Sequence, residues 1–243
     1  MHSDSNTGKQ TISQAAQVTK LLIPRSQRQA FFWQFTLMTI MGWVVGGIAS
    51  IGLEKTLLEK IPESLFQEQP LFSLAFRIAA TIIFAVIFAT DQALVLRQYI
   101  SPWLWIIATC IGSLLFTQIA EAWKNYIIFV ATSSNPLAED IIVYGILSTF
   151  AYNFSAIWLG FCQWLVLRRY VTGAWWWNFI MFIAYSLISI VIVGLSMLQG
   201  FIPATHRHDI TYLITQGVTA LILGVIPAFS FCTLKVKSSQ SQP

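Results

Sequence analysis

The chain has 243 residues, of which 56% are hydrophobic and only 10% charged, and it carries a formal charge of +4 with a mean hydropathy of +0.67. Ordinary soluble domains carry about 25% charged residues, so this composition excludes a water-covered globular surface and indicates a polytopic membrane protein whose surface is completed by lipid. Cys110, Cys162 and Cys232 each fall inside an apolar run, which excludes a metal-ligand spacing or a disulfide framework.

Residues 1–29 are rich in Ser, Gln, Thr and Lys and carry no signal-peptide pattern. They read as a polar, disordered tail, with at most a short surface helix around Val18 to Ile23. An all-α domain of six transmembrane helices then covers 30–234, with spans at about 30–53, 71–97, 103–123, 141–168, 174–198 and 210–234, and a short tail follows over 235–243. The first span has no charge and contains Gly42-x-x-x-Gly46, a spacing that lets another backbone approach closely; packing within the chain is its expected use. Residues 54–70 alternate charge with Leu57, Leu58, Ile61, Leu65 and Phe66, and predict an amphipathic segment on the membrane surface, broken at Pro62.

The second span carries Arg77 and Asp91 and turns at Tyr99-Ile-Ser-Pro102; the third opens at Trp103 and meets Glu121 and Lys124, which leaves its far end open. Asn135-Pro136 reads as a cap and first helical position for the fourth span, followed by Glu139 and Asp140 where the helix dipole favours acids. The fourth span ends at Arg168-Arg169, the fifth begins after Gly173, and the sixth contains a kink candidate at Pro227.

Sidedness follows from the distribution of Lys and Arg. Lys9, Lys20, Arg25, Arg28, Arg97, Arg168, Arg169, Lys235 and Lys237 fall on one side, while the other carries most of the acids, so both termini are expected in the cytoplasm. Trp33, Trp103, Trp105 and Trp175 to Trp177 then fall at the cytoplasmic interface, and Trp123 and Tyr126 at the external one, as an aromatic belt.

Gln163-Trp-Leu-Val-Leu-Arg-Arg-Tyr170 has an echo in Gln92-Ala-Leu-Val-Leu-Arg-Gln-Tyr99, identical at six of eight positions, and each leads through a short turn into an aromatic-led helix. Ser230-Phe-Cys-Thr-Leu-Lys235 reads as the degenerate end of a third unit, which makes the chain three tandem hairpins. On these segments and Gly42 to Gly47, the chain resembles a group of small polytopic membrane proteins from cyanobacteria, with repeated Gln-Trp-Leu-Val-Leu-Arg-Arg segments between Gly- and Trp-rich helices. The resemblance covers most of 30–234. It implies the fold and a plasma or internal, thylakoid-like membrane, and brings no activity with it. Ala93 and Gln98 depart from the pattern in the first copy, and the sixth helix has lost it.

Ionisable groups inside a span cost a few kcal/mol on insertion scales and so mark candidate sites. Arg77 and Asp91 lie too far apart on one helix to pair. Glu121 is the natural partner of Arg77 in a structural ion pair, and Asp91 is placed to reach Arg97 or Arg168. Gln92 and Gln163 recur at one depth. They are expected either to bond between helices or, with Asp91, Arg97, Arg168 and Arg169, to form a polar membrane site that holds an anionic lipid headgroup. No histidine lies within a span, so no haem ligand or di-metal motif is expected and no cofactor is assigned; His206-Arg-His208-Asp209 reads as a solvated loop. No catalytic constellation is recognisable. The expected function is therefore a non-catalytic scaffold, assembly or regulatory partner in the membrane, with no nucleic-acid partner. The alternative is a small carrier or channel for an ion, or for an anionic or amphiphilic molecule. A dry, packed interior favours the first and a water-filled path past Gln92, Gln163 and Asp91 the second.

Overall fold

A computed structural model of the chain describes residues 20–60, 70–133, 138–198, 203 and 206–237. The apolar runs become α1 (Arg28–Lys60), α2 (Pro70–Leu96), α3 (Pro102–Ser133), α4 (Ala138–Ser155), α5 (Ile157–Leu167), α6 (Ile180–Leu198) and α7 (Arg207–Phe231). Pro70 and Pro102 occupy first helical positions, where the missing amide costs nothing. With α4 and α5 counted as one segment, six helical stretches are long and apolar enough to cross a membrane, and between 11% and 39% of each apolar window is buried inside the protein. The remaining apolar surface faces outward over every stretch, far beyond what a soluble monomer exposes, and is that of a multi-pass membrane protein.

Several boundaries differ from the expected ones. The first helix does not stop at Leu53. It runs on to Lys60, because Glu54, Lys55, Glu59 and Lys60 are good helix formers and nothing interrupts the ladder there. The remainder of the proposed surface segment, 61–69, lies outside the described residues, as do the caps proposed at Asn135 and Pro136. The third helix passes Trp123 and ends at Ser133.

The fourth span is interrupted at Ala156, whose amide bonds to the Asn153 carbonyl only three residues back, at 3.1 Å. No proline or glycine marks that break. It coincides with two contacts to the next span: Ser189 donates to Asn153 Oδ1 at 3.1 Å, and Gly160 lies so close to the Asn178 carbonyl that a Cβ would fall 2.6 Å from its oxygen. The fifth span begins as a 3-10 turn over Ala174–Phe179 before α6, entered through Gly173 at φ 67°, which a residue without Cβ adopts freely.

Each span packs on its sequence neighbours and α7 packs back on α1, so the helices close a ring. One end of the ring carries Arg97, Arg168, Arg169, Lys235 and Lys237 and is called the basic end. There β1 (Val171–Thr172) pairs antiparallel with β2 (Lys235–Val236), and Leu21 bridges to Lys235. Lys20 to Ile23 is therefore not a disordered tail or a surface helix: Leu22 and Ile23 are buried in the main core beside Leu234. Two consecutive large aliphatic side chains held down by backbone pairing outweigh the polar sequence around them. Val18 lies outside the described residues.

Gly42 and Gly46 face α2, where a Cβ would come within 3.0 Å of Asp91 Oδ2 and 3.1 Å of the Phe84 ring, so the Gly-x-x-x-Gly packs within the chain.

Candidate functional site

The most built part of the molecule lies one to two turns inside the basic end. Gln92 on α2 is 1% exposed and Gln163 on α5 is fully buried. An amide in such surroundings must be hydrogen-bonded, and each is held from both sides. Gln92 Nε2 donates to Thr39 Oγ1 of α1 at 3.4 Å, and its Oε1 accepts from Trp105 Nε1 of α3 at 3.2 Å. Gln163 Nε2 donates to Thr109 Oγ1 of α3 at 3.3 Å, and its Oε1 accepts from Trp177 Nε1 in the 3-10 turn at 3.2 Å. The first glutamine lies 53 residues after its threonine and 13 before its tryptophan; for the second the intervals are 54 and 14.

Trp105 and Trp177 are consequently core residues, 1% and 0% exposed, and not part of an interfacial belt. Trp33, Trp103 and Trp175, two positions before Phe35, Trp105 and Trp177, are 56%, 72% and 64% exposed and take the lipid-facing role instead. The two buried indoles meet at 6.3 Å between ring centroids, and Phe231 of α7 packs on both, at 5.6 Å from Trp105 and 4.6 Å from Trp177. Phe35 of α1 reaches Phe231 at 5.3 Å and completes an aromatic plug across the ring.

On the sixth span the corresponding segment supplies Ser230, whose hydroxyl donates to the Ile226 carbonyl of its own helix at 2.8 Å. The residues at the tryptophan and threonine places around it are Phe35 and Met181, both buried and apolar. Leu96, Leu167 and Leu234, four residues past Gln92, Gln163 and Ser230, are at most 2% exposed.

The residues that sequence reasoning grouped into one polar site separate. Gln92 and Gln163 share the core layer, but the space between them is occupied by the Trp105 and Trp177 rings. Arg97, Arg168 and Arg169 are exposed at the basic end, and the Arg168 guanidinium lies over the Trp164 ring at 5.4 Å. Asp91 sits half-buried against Gly42 and forms no ion pair with Arg97, Arg168 or any other described residue. Its carboxylate lies at the α1–α2 contact. Towards the other end of the ring Arg77 Nη1 lies 3.2 Å from Glu121 Oε1, and Lys124 Nζ lies 3.6 Å from the second carboxylate oxygen. His206, Arg207, His208 and Asp209 are exposed at the start of α7.

Gln, Thr and Trp in these nodes carry no titratable group and no nucleophile activated by a neighbouring base. What they can do is fix three helices to one another with directional bonds. Thr39, Thr109, Trp105 and Trp177 were not singled out as their partners by sequence reasoning; the near-constant intervals to Gln92 and Gln163 were the available signal. No protein-family model, no curated protein and no solved structure matches this chain.

Proposed function

We propose that this chain is a non-catalytic multi-pass membrane protein that acts as a scaffold, assembly or regulatory partner within the bilayer. In this reading three hairpins follow one another, α1 with α2, α3 with α4–α5, and α6 with α7, and both termini lie in the cytoplasm. The recurrence of the Thr–Gln–Trp contacts supports the hairpin repeat. The cluster of Arg97, Arg168, Arg169, Lys235 and Lys237 at the end where residues 20 and 236 meet supports the sidedness. A basic face of this kind attracts anionic headgroups of the cytoplasmic leaflet. The resemblance stated above supports a cyanobacterial plasma or internal membrane.

The observation that carries the reading is the aromatic plug. Phe35, Trp105, Trp177 and Phe231 fill the ring where a path past Gln92 and Gln163 would run. A carrier or channel is the alternative, and the interruption of the fourth span at Ala156 favours it, since transporters place broken helices near the bilayer midplane.

Met181, 3% exposed in the core beside Leu223 and Ile188, separates the two. In protein with Cys110, Cys162 and Cys232 replaced by Ala, Met181→Cys should resist a small charged thiol reagent applied from either side of proteoliposomes. Modification from both sides would overturn the scaffold reading and support the carrier.

A further inference from the structure

A concavity of about 700 Å³ lies outside the aromatic plug. It is a groove between the first half of α1 and the last turns of α2, opening at the basic end. Its inner part is apolar, with Met38, Met41 and Leu94, and its mouth is polar, with Gln34, Arg97 and Tyr99. The volume is that of a pocket for a drug-sized ligand.

In the second hairpin the same place is filled by side chains. There Leu104 and Ala108 stand where α1 has Gln34 and Met38, and they pack against Cys162, Val166 and Tyr170 in one buried cluster. Trp164 stands where α2 has Ala93, and the Arg168 guanidinium rests on its ring. Arg97, the counterpart of Arg168, has no such ring beneath it and forms no ion pair among the described residues. A polar residue at the mouth, Gln34, and a cation there without a ring beneath it, Arg97, therefore both fall on the first hairpin.

We propose that this groove is a binding site for one anionic phospholipid, with the headgroup phosphate at Arg97 and the start of an acyl chain against Met38, Met41 and Leu94. Arginine presents a planar fork of donors that matches a phosphate. The Tyr99 hydroxyl, which donates to Gln27 Oε1 at 3.0 Å, fixes one wall of the mouth. In the bilayer the groove opens sideways to lipid, so an acyl chain enters without crossing water. The proposal rests on the membrane-spanning reading with the basic end in the cytoplasmic leaflet, and narrows its general attraction for anionic headgroups to one place.

The test is native mass spectrometry of the purified full-length protein, titrated with phosphatidylglycerol and with phosphatidylcholine of identical chains. The wild-type protein should retain one phosphatidylglycerol with a preference of roughly five-fold or more, the scale expected for one basic residue at a membrane surface. Arg97→Gln should abolish that preference, and Arg168→Gln, which removes the same charge, should leave it. Met38→Trp, which fills the floor, should weaken retention of both lipids. Glycerol phosphate, the headgroup without chains, should not displace the lipid at equal concentration.

Retained preference in Arg97→Gln, or equal loss in Arg97→Gln and Arg168→Gln, would overturn the groove while leaving a generally basic face intact. Displacement by glycerol phosphate would make it a free-phosphate site. No preference in the wild-type protein would remove both the groove and the wider lipid reading.

Discussion

Replacing Gln163 by Leu keeps the side chain's approximate size and removes both of its hydrogen bonds. The Thr109 hydroxyl loses an incoming bond but keeps its own proton to donate, as Thr81, Thr90 and Thr117 do to the carbonyl four residues back. The Trp177 indole N–H has no ready substitute. It is fully buried, its neighbours are the Trp105, Trp176 and Phe231 rings, and an orphaned buried donor costs about 1–3 kcal/mol. Gln163→Leu should therefore destabilise the protein by about 2 kcal/mol, above the ~0.6 kcal/mol average for hydrogen bonds between membrane helices.

Trp177→Phe removes the donor but opens space and leaves Gln163 Oε1 unpaired. In the double variant neither partner remains to be orphaned, so it should be less destabilised than the sum of the two single variants by about 2 kcal/mol. Equilibrium unfolding in mixed detergent–SDS micelles, followed by far-ultraviolet circular dichroism, reads this difference without depending on tryptophan emission. Additivity within about 0.5 kcal/mol, or a Gln163→Leu variant as stable as wild type, would refute the assignment of Gln163 as a structural clamp.

Gly160→Ala should cost at least about 1–3 kcal/mol by overpacking, because its Cβ would lie 2.6 Å from the Asn178 carbonyl oxygen, whereas Gly145→Ala, which meets open space, should be neutral or stabilise by up to about 1 kcal/mol; thermal unfolding in detergent compares the two. Arg77→Gln should lower stability by no more than about 1 kcal/mol, since Arg77 is exposed, Glu121 is only partly buried and Lys124 remains beside Glu121; a larger loss in the same assay would mean the pair acts in a drier setting. For sidedness, a membrane-impermeant maleimide applied to intact cells should label Ser133→Cys and spare Lys237→Cys in a background without native cysteines, and the reverse pattern would invert the topology.

What was readable in the sequence depended on how local the cause was. Six apolar stretches are a property of windows of about 20 residues, and composition alone placed them. The use of Gly42 and Gly46 followed from spacing on one helix. The two glutamines stood out because they end similar segments, but their partners lie more than 50 residues upstream and on the following helix, and no local pattern points to a threonine at that distance. Trp105 and Trp177 were misplaced for a different reason: belt and core draw on the same residue type, and two positions along a helix rotate a side chain about 200° from lipid to interior. Leu22 and Ile23 were hidden by the polar residues around them, and the interruption at Ala156 carries none of the usual breakers.

The two polar nodes also explain how neighbours in the ring are chosen. Helices in a bilayer gain little from apolar contact, because lipid offers the same contact everywhere. Directional bonds discriminate where apolar packing does not. Trp105 and Thr109 sit one turn apart on the same face of α3, one donating to Gln92 and the other accepting from Gln163, so α3 is clamped to the even-numbered span on either side of it. Through these bonds α1, α2, α3, α5 and the turn before α6 form one continuous relay. The two junctions of α7, with the fifth span and with α1, have no such node at this depth. They are closed by Phe231 against Trp177 and Phe35, by Gly224 against the Thr36 backbone, and nearer the far end by the Trp43 indole donating to Gln216 at 3.0 Å. The polar clamps thus set which spans lie side by side, while the sixth span completes the ring by fit. That division leaves the interior at Gln92 and Gln163 committed to holding helices together, and leaves the outer faces and the α1–α2 groove as the surfaces available to lipid or a partner.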